Sequence, residues 1–162
     1  MTASRFIGAT VVAAIAGLVA ITVYLSVERA LVEHLHVLFC LQQLLQWDAA
    51  NIYGMRAFTG GWAMAWQGLW MDFVVSLVWA VIFTTLYGTL PLVRRYPVLI
   101  GLGYGVAVMI VMIFVVVPLG HAPRLAFSAP HLINVLVAHT VFYGMPLAIA
   151  VDNSLTGAHF HR

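Results

Sequence analysis

Charged side chains are scarce in this sequence: aspartate, glutamate, lysine and arginine together make up 7% of the 162 residues, whereas 64% of the residues are hydrophobic. Water-soluble domains are typically about 25% charged, so the composition argues strongly against a water-soluble fold and favours a membrane protein. The seven basic residues are all arginines, scattered along the chain, and the formal net charge is +2. That distribution does not provide a nucleic-acid-binding surface.

Cysteine and catalytic motifs are lacking as well. The single cysteine, Cys40, cannot form an internal disulfide and cannot by itself provide a cysteine-based zinc or iron–sulfur site. The sequence contains no GxSxG nucleophile motif, no Walker A loop and no dinucleotide fingerprint. We therefore predict no catalytic residue and do not expect an enzyme.

Long apolar runs dominate the sequence instead. About 20 consecutive apolar residues are enough for a helix to cross the hydrocarbon core of a bilayer. Four stretches meet this requirement: 6–27, 66–87, 97–117 and 131–151. The pattern predicts an all-α polytopic membrane protein in which residues 1–162 form a single domain with four transmembrane helices.

An amphipathic helix is predicted over 29–47, between the first two apolar runs, because leucines recur there at helical spacing with polar residues on the other sides. This helix could lie flat on the membrane surface or could extend the first helix out of the bilayer, and the sequence leaves both arrangements open. The next stretch, 48–61, contains three glycines and is predicted to be a loop.

Small residues indicate where helices approach closely. Gly101 and Gly105 form a GxxxG pattern in the third run, and Ala9, Ala13 and Gly17 follow one another at four-residue spacing in the first. Residues of this size at this spacing let helix backbones come together in lipid. We therefore expect close helix packing around the first and third runs.

Arginine positions predict the orientation. With the N-terminus in the cytoplasm, four arginines lie on the cytoplasmic side and three outside, and the shortest loop carries the adjacent Arg94 and Arg95. Cytoplasmic loops are enriched in arginine. We therefore predict a protein of the bacterial inner membrane with both termini cytoplasmic. Its expected partners are the lipid bilayer and other membrane subunits or further copies of the chain.

Asp72 is the one acidic residue within the four apolar runs. An ionisable group in a membrane span is costly and indicates a functional site by default. Asp72 lies six residues after Trp66 and His139 lies eight after His131, both counted from the outer side, which places them roughly 9–12 Å along their helices. We predict that Asp72 and His139 form an intramembrane polar pair. The pair would be either a structural hydrogen bond or a site that titrates near neutral pH.

Other polar side chains are candidates for supporting or metal-binding roles. Gln67, His131 and Asn134 would lie above the Asp72–His139 pair and support it. His34, His36 and His121 are weak candidate metal ligands on the adjoining surface. His34 and His36 are two residues apart, and on a helix such residues do not face each other, so they would chelate one ion poorly.

No cofactor is required by the sequence. A haem could be held by His139 only with a second axial ligand from outside the spans, because the other three spans contain no histidine. A haem or a metal ion therefore remains an alternative rather than an expectation.

The sequence contains the stretch Gln46-Trp-Asp-Ala-Ala-Asn51 with a glycine-rich turn after it, Pro118, and a histidine, glycine and proline at 139, 144 and 146. This pattern resembles a family of small four-helix bacterial inner-membrane proteins with a QWDA-type motif and uncharacterised function. The resemblance covers roughly residues 40–151. It implies a four-helix membrane fold and no activity. A histidine is common in that family near the position of Asp72, and this departure puts any histidine site implied by the resemblance in doubt.

Three functional hypotheses follow from these observations. The first is a non-catalytic membrane protein that serves as an accessory subunit or assembly partner of a larger membrane complex, as minimal loops and absent catalytic motifs indicate. The second is a haem- or metal-binding redox protein that uses His139, Asp72 and the histidines outside the spans. The third is a small transporter that relays protons or cations between Asp72 and His139.

Overall fold

The computed structural model describes residues 2–123 and 128–157, and these residues form helices and the turns between them, without a β-strand. The helices are α1 (Ala3–Glu33), α2 (Val37–Tyr53), a 3₁₀ segment (Gly54–Thr59), α3 (Gly61–Thr89), α4 (Pro91–Arg95), α5 (Pro97–Leu119) and α6 (Ala129–Thr156). Four of them, α1, α3, α5 and α6, are long and apolar enough to cross a membrane. The prediction of an all-α chain with four such helices is confirmed.

Each long helix extends beyond the apolar run that predicted it. α1 continues past 27 to Glu33, α3 begins before 66 at Gly61, and α6 continues past 151 to Thr156. An apolar run ends where hydrophobic side chains end. The backbone hydrogen bonds of the helix can continue into the polar residues that follow, until a cap or a helix breaker ends them, so the helix is longer than the run.

A turn separates α1 from α2, so the amphipathic helix predicted over 29–47 does not extend the first helix. His34 adopts the left-handed conformation (φ 53°) and ends α1. His36 then begins α2, because its ring Nδ1 accepts a hydrogen bond from the backbone N–H of Leu38 at 3.3 Å. Residues 29–33 thus belong to α1, and a separate helix follows the turn. No glycine or proline marks this break, so the sequence pattern did not place it.

α2 also extends into the stretch predicted as a loop. It continues through Asp48 to Tyr53, and the 3₁₀ segment follows directly. At the C-terminal end of α2, the carbonyl oxygen of Asn51 accepts a hydrogen bond from the backbone N–H of His121 at 3.0 Å. This bond fixes the end of α2 to the segment that follows α5.

Two π-helical segments interrupt the long helices, and each is followed by a proline. Met112–Val116 in α5 precedes Pro118, and Thr140–Gly144 in α6 precedes Pro146. Proline has no N–H to donate and its ring collides with the carbonyl four residues earlier, at the centre of each π segment. The wider π turn accommodates that carbonyl, so α5 continues through Pro118 to Leu119 instead of ending at 117.

α1 runs in the opposite direction to α3 and α6. In α1 and α6, Gly17 lies against Tyr143, and Tyr24 donates a 2.6 Å hydrogen bond to the side chain of Asn134. The later residue of α1 therefore meets the earlier residue of α6. The hydroxyl of Ser76 in α3 donates to the carbonyl oxygen of Ala14 near the middle of α1.

The core between the helices is built from small residues and a few large ones. Ala13, Ala14 and Ala80 are fully buried and surround Phe83 and Leu147, which are fully buried as well. The predicted close packing at Gly101 and Gly105 is used inside the bundle: Gly101 lies against Gly144 and Ala148, and Gly105 against the backbone of His139. The small residues thus hold this chain's own helices together.

Gly105 and Gly103 provide a matched test of this packing. A methyl group at Gly105 would overlap the carbonyl oxygen of His139, whereas a methyl group at Gly103 would meet no atom within 4 Å. We expect Gly105→Ala to lower the thermal unfolding temperature in detergent by several degrees, because α5 and α6 must separate. Gly103→Ala should leave it unchanged or slightly raised. Equal effects of the two substitutions would contradict the observed α5–α6 contact.

Candidate functional site

Two aspartates meet where α2 crosses α3. The crossing is unusually close, because Gly68 of α3 lies so near α2 that a methyl group there would overlap the carbonyl oxygen of Leu45. Asp48 lies one helical turn after Leu45 and Asp72 one turn after Gly68, so the two carboxyl groups extend from the same crossing. Their carboxyl groups lie close enough together to form a hydrogen bond.

A hydrogen bond between two carboxyl groups requires a proton on one of them, since two carboxylates have only acceptors. Both residues are half-buried, and protein surrounds most of each carboxyl group. Burial raises the pKa of Asp48 well above its ordinary value of 3.8, and the negative charge of Asp72 and the hydrogen bond to it raise the pKa further. The geometry thus fits a pair of carboxyl groups that share one proton.

A second group of hydrogen bonds lies one turn further along α3. The Ser76 hydroxyl donates to the carbonyl oxygen of Ala14 at 2.9 Å, so its oxygen is free to accept, and the Tyr143 hydroxyl lies 3.1 Å from it. Tyr143 also lies close enough to Asp72 to interact with its charge. The carboxyl pair is therefore next to a buried network of hydroxyl groups that connects α1, α3 and α6.

His139 lies one helical turn before Tyr143, a member of this network. Its ring Nδ1 lies 2.9 Å from the carbonyl oxygen of Val135. A carbonyl can only accept, so Nδ1 carries the proton and Nε2 of the neutral ring is left as an acceptor. Within the described residues, neither a hydrogen bond nor an ion pair joins His139 to Asp72. The hydrogen-bond partner of Asp72 is Asp48.

Asp72 and His139 nevertheless lie in equivalent positions along their helices. Each is four residues before the Ser76–Tyr143 contact, Asp72 on α3 and His139 on α6. Both helices are antiparallel to α1, so both residues lie on the same side of that contact. The π segment that begins at Thr140 is the local irregularity between His139 and Tyr143, and segments of this kind are frequent at functional sites.

The residues predicted to support the Asp72–His139 pair, Gln67, His131 and Asn134, have the following surroundings. Gln67 is exposed on α3. Asn134 accepts a hydrogen bond from Tyr24 of α1, and the ring of Tyr24 stacks on Phe142 at 4.0 Å. His131 lies in the first turn of α6, where its backbone N–H donates to the hydroxyl of Ser128. These contacts fasten α6 to α1 and complete its N-terminal cap.

The histidines suggested as weak metal ligands serve as structural elements at the helix ends. His34 forms the left-handed turn after α1, His36 caps α2, and His121 binds the end of α2 at Asn51. Among residues 2–123 and 128–157 there is no group of three or more histidine, cysteine, aspartate or glutamate side chains placed to hold a metal ion.

Asp48 was not recognised from the sequence as part of the site. It was placed in a loop because Gly54 and Gly60 follow it, and its partner lies 24 residues away on another helix. The available signal was the absence of any helix breaker before Gly54, which allows α2 to continue past Trp47. Asp48 is also the acidic residue of the QWDA-type motif.

Comparison of the chain with protein-family models, with curated proteins and with solved structures gave no match.

The raised pKa of Asp48 predicts how stability depends on pH. The folded protein keeps a proton on Asp48 at pH values where the unfolded chain has lost it, so the free energy of unfolding falls as pH rises above 3.8 and through the raised pKa. Each unit of difference in pKa corresponds to about 1.4 kcal/mol. We expect Asp48→Asn to raise the thermal unfolding temperature at pH 8 and to change it little at pH 4.

Thermal unfolding in detergent between pH 4 and pH 8 measures this effect. Glu33→Gln is the control, because Glu33 is an exposed acid in a surface ion pair with Arg29 and should change the pH profile little. An Asp48→Asn protein that is less stable than the wild type at pH 8 would show that the Asp48 carboxyl is ionised and stabilising in the folded state.

Proposed function

We propose that the chain is an integral protein of the bacterial inner membrane, with α1, α3, α5 and α6 crossing the bilayer and both termini in the cytoplasm. The lengths of these helices, 23 to 31 residues, support this proposal. Arg5 near the start of α1 and the Arg94–Arg95 pair of α4 lie toward the same end of the bundle, because α3 returns antiparallel to α1. An arginine-rich end is typical of the cytoplasmic side.

We propose further that this membrane protein takes up and releases protons at the Asp48–Asp72 pair. The observation that carries the proposal is the hydrogen-bonded contact of two enclosed carboxyl groups. A buried carboxyl pair is expensive to keep and could be replaced by apolar residues if packing were its only role. Gain or loss of the shared proton changes the charge of the pair by one unit.

The protonation state of the pair is measurable by infrared spectroscopy. We expect wild-type protein in lipid at pH 7 to show the C=O stretch of a protonated carboxylic acid, because the pair retains one proton. Asp48→Asn should abolish the band, and Asp72→Asn should shift its loss to lower pH, since the neighbouring negative charge is removed. Glu33→Gln should leave the band intact. A wild-type protein without a protonated carboxyl at pH 7 would rule out the shared proton.

A second candidate function is that of a non-catalytic accessory subunit or assembly partner in a larger membrane complex. The observation in its favour is an apolar stripe on α3, whose residues at four-residue intervals all face outward: Trp62, Trp66, Trp70, Val74 and Val78, with exposed fractions of 45 to 66%. This stripe is long and regular enough to accept a helix of another subunit, and the proton-handling pair could serve such a complex.

Purification in mild detergent distinguishes the two candidates. If the chain is a subunit, it should migrate with a stoichiometric companion, and Trp66→Ala together with Trp70→Ala should release that companion. Val12→Ala with Ile15→Ala, exposed positions on α1, is the matched control. Migration of the wild-type chain alone, in each mild detergent used, would contradict the subunit role and leave proton handling as the function.

A further inference from the structure

We infer that a proton path runs through the bundle along α3, from the Asp48–Asp72 pair to Tyr87 and Asp152 near the other end. This inference rests on the proposed proton exchange at the carboxyl pair and adds a route and an exit to it. The evidence for it is a set of hydrogen bonds between α3 and its neighbours, together with the buried hydroxyl group of Thr84, which has no hydrogen-bond partner among the described residues.

The inward face of α3 carries polar groups along about half of its length. Asp72, Ser76, Thr84 and Tyr87 are separated by four, eight and three residues, so they lie on one side of the helix. The position between them, Ala80, is fully buried and small. At about 1.5 Å per residue, the face extends roughly 22 Å, which is most of the ~30 Å thickness of a hydrocarbon core.

The first part of the path begins at the contact between the hydroxyl groups of Ser76 and Tyr143. Because the Ser76 hydroxyl donates its hydrogen to Ala14, the Tyr143 hydroxyl is the donor in the 3.1 Å contact between them. Tyr143 is within electrostatic range of both Asp72 and Tyr104. The Tyr104 hydroxyl in turn donates to the carbonyl oxygen of Trp79 at 2.7 Å. These groups lead from the carboxyl pair towards the middle of α3.

Thr84 is the independent observation that points to a path. Its residue is fully buried, and its hydroxyl has no hydrogen-bond partner among the described residues. The adjacent Thr85 shows the usual alternative for a helical threonine, since its hydroxyl donates to the carbonyl oxygen of Val81 at 2.8 Å. A buried hydroxyl without a partner costs about 1–3 kcal/mol. At Thr84 that hydroxyl is available to accept one proton and donate another.

The path ends at a carboxylate. The Tyr87 hydroxyl donates to Asp152 Oδ1 at 2.5 Å, and Asp152 is only partly buried. Arg94, whose guanidinium donates to the carbonyl oxygen of Gly88, lies near Tyr87. A proton that arrives at Asp152 can therefore leave to water at the arginine-bearing end of the bundle.

The chemistry of each transfer is balanced without a redox partner. A hydronium ion gives its proton to the carboxyl pair. Each hydroxyl then turns its hydrogen from its present acceptor, which is a main-chain carbonyl oxygen for Ser76 and Tyr104, to a water molecule that leads to the next group, and accepts a proton from the group before it. Asp152 receives the last proton and returns it to water. One positive charge crosses the bundle per proton, so a membrane potential would drive the flow.

Proton flux in liposomes tests the path. Purified protein is reconstituted with a pH-sensitive dye inside, and a potassium gradient with valinomycin sets the potential. We expect wild-type liposomes to acidify faster than protein-free liposomes and Thr84→Val to reduce this excess several-fold. Valine has the shape of threonine and removes an unpartnered buried hydroxyl, so the variant should fold at least as stably as the wild type.

Thr85→Val is the matched control, since it changes the neighbouring residue on the exposed face of the same helix and should leave the flux unchanged. Equal flux in the Thr84→Val and Thr85→Val proteins would overturn the route along α3. Wild-type flux no greater than that of protein-free liposomes would overturn the path altogether. The infrared band of the carboxyl pair separates the two proposals: if the band persists without flux, the shared proton stands and the path is wrong.

Discussion

The close crossing of α2 and α3 at Gly68 is the constraint on which the site depends. Because residue 68 has no side chain, the backbone of α2 at Leu45 lies directly on α3. Asp48 and Asp72 lie one turn further along each helix, so this close crossing brings their carboxyl groups together. Any side chain at position 68 would separate the helices and with them the carboxyl groups. The close packing of two helix backbones thus produces the contact between the two carboxyl groups.

The same principle organises the rest of the bundle. Gly105 and Gly144 bring α5 and α6 into backbone contact, and Gly17 admits the ring of Tyr143 against α1. Tyr143 reaches Ser76 across this contact. Small residues therefore do more than fill the core: they set the distances at which polar side chains from different helices find one another. In an interior with few polar groups, each such contact is a strong determinant of structure.

The fold was largely predictable because its signal is one of composition and length. Four apolar runs predicted four long helices, and Gly101 with Gly105 predicted a close contact. The ends of the helices were harder to predict from the sequence. The turn at His34 has neither glycine nor proline, and the two π segments are a response to Pro118 and Pro146 that apolarity does not reveal. Local breaks of this kind depend on tertiary contacts that a single sequence does not contain.

The site was predictable only in part, and for a clear physical reason. The cost of a carboxyl group in an apolar run identified Asp72, but it did not identify the partner. Counting residues along two helices predicts the depth of each residue in the bundle. It does not predict which way the residue faces or how far apart the helices lie, so the sequence could put His139 level with Asp72 but could not establish a contact between them. Asp48 could be found only by knowing that α2 continues through it and folds back onto α3.

The contact between Asp48 and Asp72 is most directly tested by cross-linking. In a Cys40→Ala background, the protein with Asp48→Cys and Asp72→Cys is oxidised in membranes and examined for a bond within the chain. The account predicts an intramolecular disulfide. The pair Asp48→Cys and Val74→Cys should form none, because Val74 faces outward. Failure of the first pair to form a disulfide, or equal bridging of both pairs, would contradict the close approach of α2 and α3 on which the proposed site rests.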